Sequence, residues 1–460
     1  MKIDPSAIER DEATIKKQRY WYIPAVFLLL ISVFIHQPLA FLAAIFTFII
    51  GFVPDVWYRH ALHHLVVRQQ VSQHQLFFGE QVTLSVSVEN RKFLPLPWLQ
   101  ITNSITPALS LKQPSSMRLL RSKKEQLNST WQLWSYQRVT RRYKMHCQVR
   151  GLHSFGPLQL DSCDPFGWLE CNANIPAMET LLVYPLIAPL EALGLASFHP
   201  FGEHSSQRRL LEDPLRIAGV RDYVPGDDPR RIHWKATAHA GELRSKIYEP
   251  SSLRRLLILL DIYNNSEELL QADPTIQELS ITAAASIALW AMEEGYMVGL
   301  LSNSAMIPYE SSHAETSSPI LNKNALTRIT APGVSVPFSR DPDHSEQIIS
   351  TLACLVPEHH TPIERIIETE ENMFPSGATV VLVSATSTVS ELTIAQLLDQ
   401  RLHGAAVYLA LTGKPEELRV DTDNLPVFYL GGREKWHELV TTVHEGQHTS
   451  GTSTTALQLD

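Results

Sequence analysis

Between Gly219 and Glu249 the chain reads GVRDYVPGDDPRRIHWKATAHAGELRSKIYE, which sets eleven charged side chains among Tyr223, Trp234 and Tyr248. The cations Arg221, Arg230, Arg231, Lys235, Arg244 and Lys246 have the chemistry to cradle phosphate or to meet an acidic protein surface, and Asp227 and Asp228 can pair with them. Gly226, Asp227, Asp228 and Pro229 predict a turn and a helix start, with a carboxylate capping free amides. Trp234 is then expected to anchor the segment on a sheet. For catalysis the candidate is His233 near Asp227, and a hydrolase would need a cleft joining Asp227, Asp261 and His233. No Walker loop, nucleophile elbow, H-E-x-x-H or G-x-G-x-x-G occurs. The expectation is a non-catalytic protein without a cofactor, whose partner-docking candidates are Arg221, Tyr223, Gly226, Asp227, Arg230, Arg231, Trp234 and Lys235.

The elements that must position these residues follow from periodicity. The charged run ends just before the apolar run Leu256 to Asp261. From there strands are predicted at 256–261, 296–301, 378–384, 405–411 and 426–430, with helices at 275–294, 344–355, 361–372, 389–402 and 433–445. Such alternation predicts a parallel sheet covered on both faces, hence a doubly wound α/β domain. Residues 283–291 are apolar nearly all round, which predicts a deeply buried helix. The Ser-, Asn- and Pro-rich stretch 303–340 is expected to be a long loop.

Upstream, from about Val66 to Tyr184, the period shortens to two. Val82, Leu84, Val86 and Val88 alternate with polar partners, and short runs at 98–102, 131–134, 143–149 and 181–184 repeat the theme. An antiparallel sandwich or barrel is expected, with Asp164 to Gly167 as a turn. Cys147, Cys163, Cys171 and Cys354 show no C-x-x-C spacing and read as reduced thiols, and His146 and His153 near Cys147 as packed side chains.

Trp21 to Ile35 and Leu39 to Val53 are free of charge, with only His36, Gln37 and Pro38 between them. They predict two membrane-spanning helices, with Pro38 in the first turn of the second and Trp21, Tyr22, Trp57 and Tyr58 at the interface ends. A cleavable signal peptide fits less well, because the charged leader is long and no small-x-small site follows the first apolar run. Lys16, Lys17 and Arg19 before the pair and Arg59 and Arg68 after it place both ends in the cytoplasm by the positive-inside rule. Charge divides unevenly: residues 256–460 hold 27 acidic and 9 basic side chains, leaving a net +9 on residues 1–255. A basic first half suits an anionic membrane surface, and the acidic second half makes a nucleic-acid partner unattractive.

The expected architecture is α+β and multidomain: a cytoplasmic segment (1–19), a transmembrane helical hairpin (20–57), an antiparallel β-sandwich (65–187), the charged segment (205–250), a doubly wound α/β domain (251–447) and a flexible tail (448–460).

Gly219, Arg221, Tyr223, Gly226, Asp227, Arg231, Ile232, Trp234, Lys235, Leu243 and Lys246 together resemble the signature of the domain of unknown function 58 family. His239 stands where that family usually carries Arg, and imidazole cannot reproduce a bidentate guanidinium. RGLHSFGP (150–157) and DPFGW (164–168) extend the resemblance upstream. It implies that the C-terminal domain is von Willebrand factor A-like. There a first strand ending Asp-x-Ser-x-Ser would hold a divalent cation. This chain has Asp261, Tyr263 and Asn265 at those positions, and Ser384 and Ala385 where a second carboxylate is common. A phenol and an amide suit magnesium poorly, so metal binding is expected to be lost. The resemblance further implies a protein of the bacterial inner membrane, its soluble domains in the cytoplasm, acting as an adaptor or assembly scaffold for a MoxR-type AAA+ ATPase. The alternatives are a phospholigand or nucleic-acid binder using the arginines, or a cryptic hydrolase.

Overall fold

The computed structural model describes residues 8–9, 23, 26–27, 30, 38–105, 109–111, 126–164, 167, 170–195, 212–225, 227–250, 254–262, 273–307, 333–356, 361–370, 373–375, 378–385, 389–402, 405–413 and 425–451. The protein is α+β with several sheets, in two compact units. The first comprises residues 1–186, 307–330 and 350–355; the second takes the remainder.

The first unit begins with the two-residue strand β1 (Ile8–Glu9). Of the expected first span, the described residues Ile23, Val26, Phe27 and Leu30 are helical and exposed, and the rest lies outside the described residues. Helix α1 (Pro38–His60) follows. Among the described residues it is the one helix long and apolar enough to cross a membrane, over Phe41–Tyr58. Leu39, Phe41, Leu42, Ile45, Phe46, Phe48, Ile49 and Phe52 leave it apolar and exposed.

Ten strands follow: β2 (Leu65–Val71), β3 (Gln75–Phe77), β4 (Gln81–Asn90), β5 (Leu96–Ile105), β6 (Leu109–Leu111), β7 (Gln126–Leu133), β8 (Arg138–Cys147), β9 (Gly151–Cys163), β10 (Glu170–Ile175) and β11 (Glu179–Tyr184). One sheet has the order β2-β4-β8-β6; the other is built on β9, which pairs with β5, β10 and β11. Val82, Leu84, Val86 and Val88 of the first sheet share a core with Leu99, Ile101, Leu158 and Leu160 of the second, as their period-two spacing requires. Pairing is antiparallel except that β11 runs parallel to β3, a departure from the all-antiparallel expectation. The Asp164–Gly167 turn is present, its Gly167 N–H donating to Asp164 O at 3.0 Å. Gly156 has φ +108°, and a Cβ there would lie 2.0 Å from Ala177 O, so no other residue fits.

Trp57 and Tyr58 are not exposed as the aromatic side chains of an interface belt would be. Both are buried in the core shared by the two sheets, because only four residues separate His60 from β2 and the last turn of α1 rests on the sandwich. Lys92 closes that joint: its Nζ donates to Ala61 O and, at 3.0 Å, to His63 O, and burial pulls its pKa down to about 7. None of the four cysteines is in a disulfide, and burial pushes the Cys147 thiol up to about 12. His153 is buried with Nε2 2.8 Å from Val149 O.

The second unit contains β12 (Glu212–Asp222), α2 (Trp234–Ala240), β13 (Arg244–Pro250), β14 (Arg255–Asp261), α3 (Pro274–Glu293), β15 (Met297–Ser302), β16 (Ala305–Met306) and β17 (Val334–Ser339). After α4 (His344–Cys354) and β18 (Leu355–Val356), both at the division between the units, come α5 (Ile363–Thr369), β19 (Thr379–Ser384), α6 (Glu391–Leu402), β20 (Ala406–Thr412), β21 (Val427–Gly431) and α7 (Arg433–Gly451). The main sheet runs β17-β15-β14-β19-β20-β21, parallel except at β17. Alternate residues of β14 face opposite sides and all are buried: Leu257 and Leu259 against Ile363, Ile366 and Leu397, and Leu256, Ile258 and Leu260 on the other face. Burial of each such side chain contributes about 1.5–3 kcal/mol. Helix α3 is buried from Leu279 to Ala288, as its apolar composition predicts.

The expected 303–340 loop contains β17. Its alternation, Val334 and Val336 in and Ser335 and Pro337 out, is short, and Pro337 is tolerated because β17 is an edge strand.

Candidate functional site

Strands β12 and β13 form a separate two-stranded ribbon, and residues 223–243 fold back onto it. Several polar contacts in this connection are local. Arg221 Nη2 donates to Asp227 Oδ1 at 2.6 Å, and Val224 N donates to Asp227 Oδ2 at 3.2 Å. Tyr223 OH reaches Asp227 O at 3.2 Å. Asp227 is therefore the hub of the turn, and the Arg221 guanidinium, then the Val224 amide, hold its carboxyl below the usual carboxylate range. Gly226 lies outside the described residues. Asp228 caps a single 3-10 turn, Pro229–Arg231, by accepting from Arg230 N at 3.0 Å, as expected of the Asp-Pro pair.

Ile232 then bridges to Ser245 and is buried, seating the connection on β13. His233 caps α2, its Nδ1 accepting from Ala236 N at 3.1 Å. That nitrogen is occupied, and no hydrogen bond or ion pair joins His233 to Asp227 or Asp261 among the described residues. Gly241 ends α2 with φ +73°, the left-handed conformation that glycine adopts without strain. Arg244 pairs with Asp222 across the ribbon.

Trp234 does not anchor the segment. It is 69% exposed, because Ile232 takes the packing position two residues earlier and α2 turns the indole outward. Val224 and Leu243 are also exposed, as are Arg230 and Lys235, neither of which has an ion pair among the described residues. Thus Arg221, Tyr223 and Asp227 build the frame, while Trp234, Arg230 and Lys235 are presented on it; Arg231 is half-buried and contributes to holding Asp227 ionised.

The second place where chemistry gathers is the carboxyl edge of the main sheet. Strand order reverses between β14 and β19, and the carboxyl ends flanking such a reversal are the usual ligand position in a doubly wound sheet. Asp261 ends β14 there. Asn303 Nδ2 donates to its Oδ1 at 2.6 Å and Ser384 Oγ to its Oδ2 at 3.1 Å. Asn303 Oδ1 in turn accepts from Ile262 N at 3.0 Å. Both carboxylate oxygens are met by neutral donors of the chain itself. Tyr263 and Asn265 lie outside the described residues, and among the described residues no three His, Cys, Asp or Glu side chains gather to hold a metal. Sequence inspection missed Asn303. The available signal was register: Leu260 pairs with Ser302, so the residue after β15 must lie beside Asp261.

Residues 219–323 match the family described as protein of unknown function DUF58. The chain is 24% identical over 268 residues to the uncharacterized protein YeaD of Bacillus subtilis strain 168, covering 55% of this chain and 60% of that protein. It therefore spans about 60% of the length of the curated relative it matches. Two solved structures resemble it faintly. One is the CARDB domain of PF1109 from Pyrococcus furiosus, 11% identical over 26% of this chain and 91% of that one at TM-score 0.17. The other is a non-cellulosomal cohesin from Archaeoglobus fulgidus, 10% identical over 26% and 90% at TM-score 0.18. Likenesses this slight do not bear on the fold. Residues 219–323 thus carry the match to the DUF58 family, and the signature from Gly219 to Lys246 lies within it.

Proposed function

We propose that this protein is a non-catalytic, membrane-anchored adaptor that presents the β12–β13 ribbon to a protein partner, a MoxR-type AAA+ ATPase. The observation that carries the proposal is Trp234, a large aromatic 69% exposed close in sequence to Arg230 and Lys235, both exposed and without an ion pair among the described residues, on a connection held in shape by Asp227 and His233. Tryptophan flanked by cations is the composition of an interface anchor. The neutral donors around Asp261 support a von Willebrand factor A-like domain that works without a cation, and the strand order with its reversal at β14/β19 supports that fold assignment.

The exposed apolar face of α1 supports membrane insertion. Pairing of Ile8 with Ala173 supports two crossings rather than one, since a strand before the apolar stretch shares a sheet with a strand after it, and both ends then lie on one side. By the charge rule that side is the cytoplasm of a bacterial inner membrane. Detergent-solubilised full-length protein should retain a purified MoxR-type ATPase on a column, and Trp234→Ala with Lys235→Glu should abolish the retention. Failure to retain it in the apo, ADP and ATP-analogue states would sink the proposal.

A further inference from the structure

The end of the sandwich from which α1 departs carries three exposed aromatic side chains: Phe93 (80%), Trp134 (67%) and Tyr136 (70%). Their placement at that end follows from register. Leu65, the first residue of β2 after α1, pairs with Asn90, the last of β4, and Glu89 pairs with Arg138, the first of β8. The segments after β4 and before β8 therefore sit beside the turn that ends α1. Hydrogen bonds tie all three together: Arg91 N to His64 O at 3.1 Å, Lys92 Nζ to Ala61 O and His63 O, Tyr136 N to Lys92 O at 3.2 Å, and Asn90 Nδ2 to both Leu94 O (2.9 Å) and Trp134 O (3.0 Å). The aromatics are thus held on a rigid rim around the foot of the apolar helix.

We propose that Phe93, Trp134 and Tyr136 form a collar that rests in the headgroup layer of a phospholipid bilayer, seating the sandwich on the membrane surface. The inference rests on the membrane reading of α1. Three such side chains present a few hundred Å² of amphipathic surface that water does not favour, and ring systems of this kind collect at bilayer interfaces. From Val53, near the end of the exposed apolar stretch, the axis of α1 runs about 10 Å to His60. The headgroup layer is roughly 5–8 Å deep, so a rim at that level is within reach of the rings. Charge agrees: Arg91 and Arg138 share one counterion, Glu89, at 2.7 Å each, leaving net positive charge beside the collar for anionic headgroups.

The full-length protein would be reconstituted into phosphatidylethanolamine/phosphatidylglycerol vesicles with and without lipid brominated near the headgroup, and tryptophan emission compared between wild type and Trp134→Phe. The expected result is a loss of lipid-quenchable emission in the variant, with Trp234→Phe leaving the quenchable part unchanged. Quenching equal in wild type and Trp134→Phe, with the protein still floating with the vesicles, overturns the collar while the anchor stands. Protein that does not float overturns both. Phe93→Ala/Tyr136→Ala, which keeps the reporter, should make Trp134 less quenchable; unchanged quenching would also count against the collar.

Discussion

The signature ribbon and the carboxyl edge of the main sheet both concentrate polar groups around one aspartate, yet they end in opposite states. At the ribbon, Asp227 accepts from Arg221 and the Val224 amide, and Trp234, Arg230 and Lys235 are left exposed. At the sheet edge, half-buried Asp261 accepts from the Asn303 amide and the Ser384 hydroxyl. At the strand ends where a doubly wound sheet ordinarily takes its ligand, the carboxylate is bonded to side chains of the chain itself, while the ribbon leaves large side chains exposed. Both aspartates hold their own surroundings in shape, and they differ in what the surrounding chain leaves exposed.

Four substitutions test that division. Asp261→Ala should have the largest effect, a loss of about 2–4 kcal/mol in denaturant unfolding, because two donors lose a charged acceptor at once; a loss as small as that of a surface change would mean the enclosure is not structural. Trp234→Ala should weaken partner binding by about 2 kcal/mol, roughly 30-fold, while stability moves by no more than about 0.5 kcal/mol. If the melting temperature falls instead, the indole is part of the frame. Asn303→Asp should destabilise by about 1–2 kcal/mol at neutral pH, since two carboxylates forced together resist ionisation. The raised carboxyl pKa means the folded state binds more protons than the unfolded one, so stability should recover as pH falls toward about 5, and manganese should restore it at pH 7. The smallest effect is expected from Arg221→Gln. Asp227 titrates below its ordinary value when folded, so the contribution of the pair is complete above about pH 4 and fades as pH falls through the folded value. Wild type and variant should differ slightly in thermal midpoint at pH 7 and coincide in strong acid.

Much of the architecture was legible because it is periodic. Val82 to Val88 announce a half-buried strand, and the runs from 255 onward announce alternating strands and helices to within a few residues. Legibility failed where a residue's role depends on a distant neighbour. Asn303 looks like an ordinary loop residue until β14 and β15 are in register. Trp57 and Tyr58 have the composition of a membrane belt, and only the shortness of the link to β2 draws them into the sandwich. Trp234 has the composition of a core anchor, and only the prior claim of Ile232 on the packing site leaves it outside. In the site, the hub role of Asp227 and the cap role of Asp228 could be read from turn chemistry, whereas the orientation of the presented groups could not.

The burial of Trp57 and Tyr58 has a mechanical corollary. A helix that ends inside the body it carries has no swivel, so on the membrane reading proposed above a load on the sandwich would reach α1 as tilt instead of being lost in slack chain. The Lys92 side chain, bonded to Ala61 O and His63 O just past the helix, is the rivet of that joint.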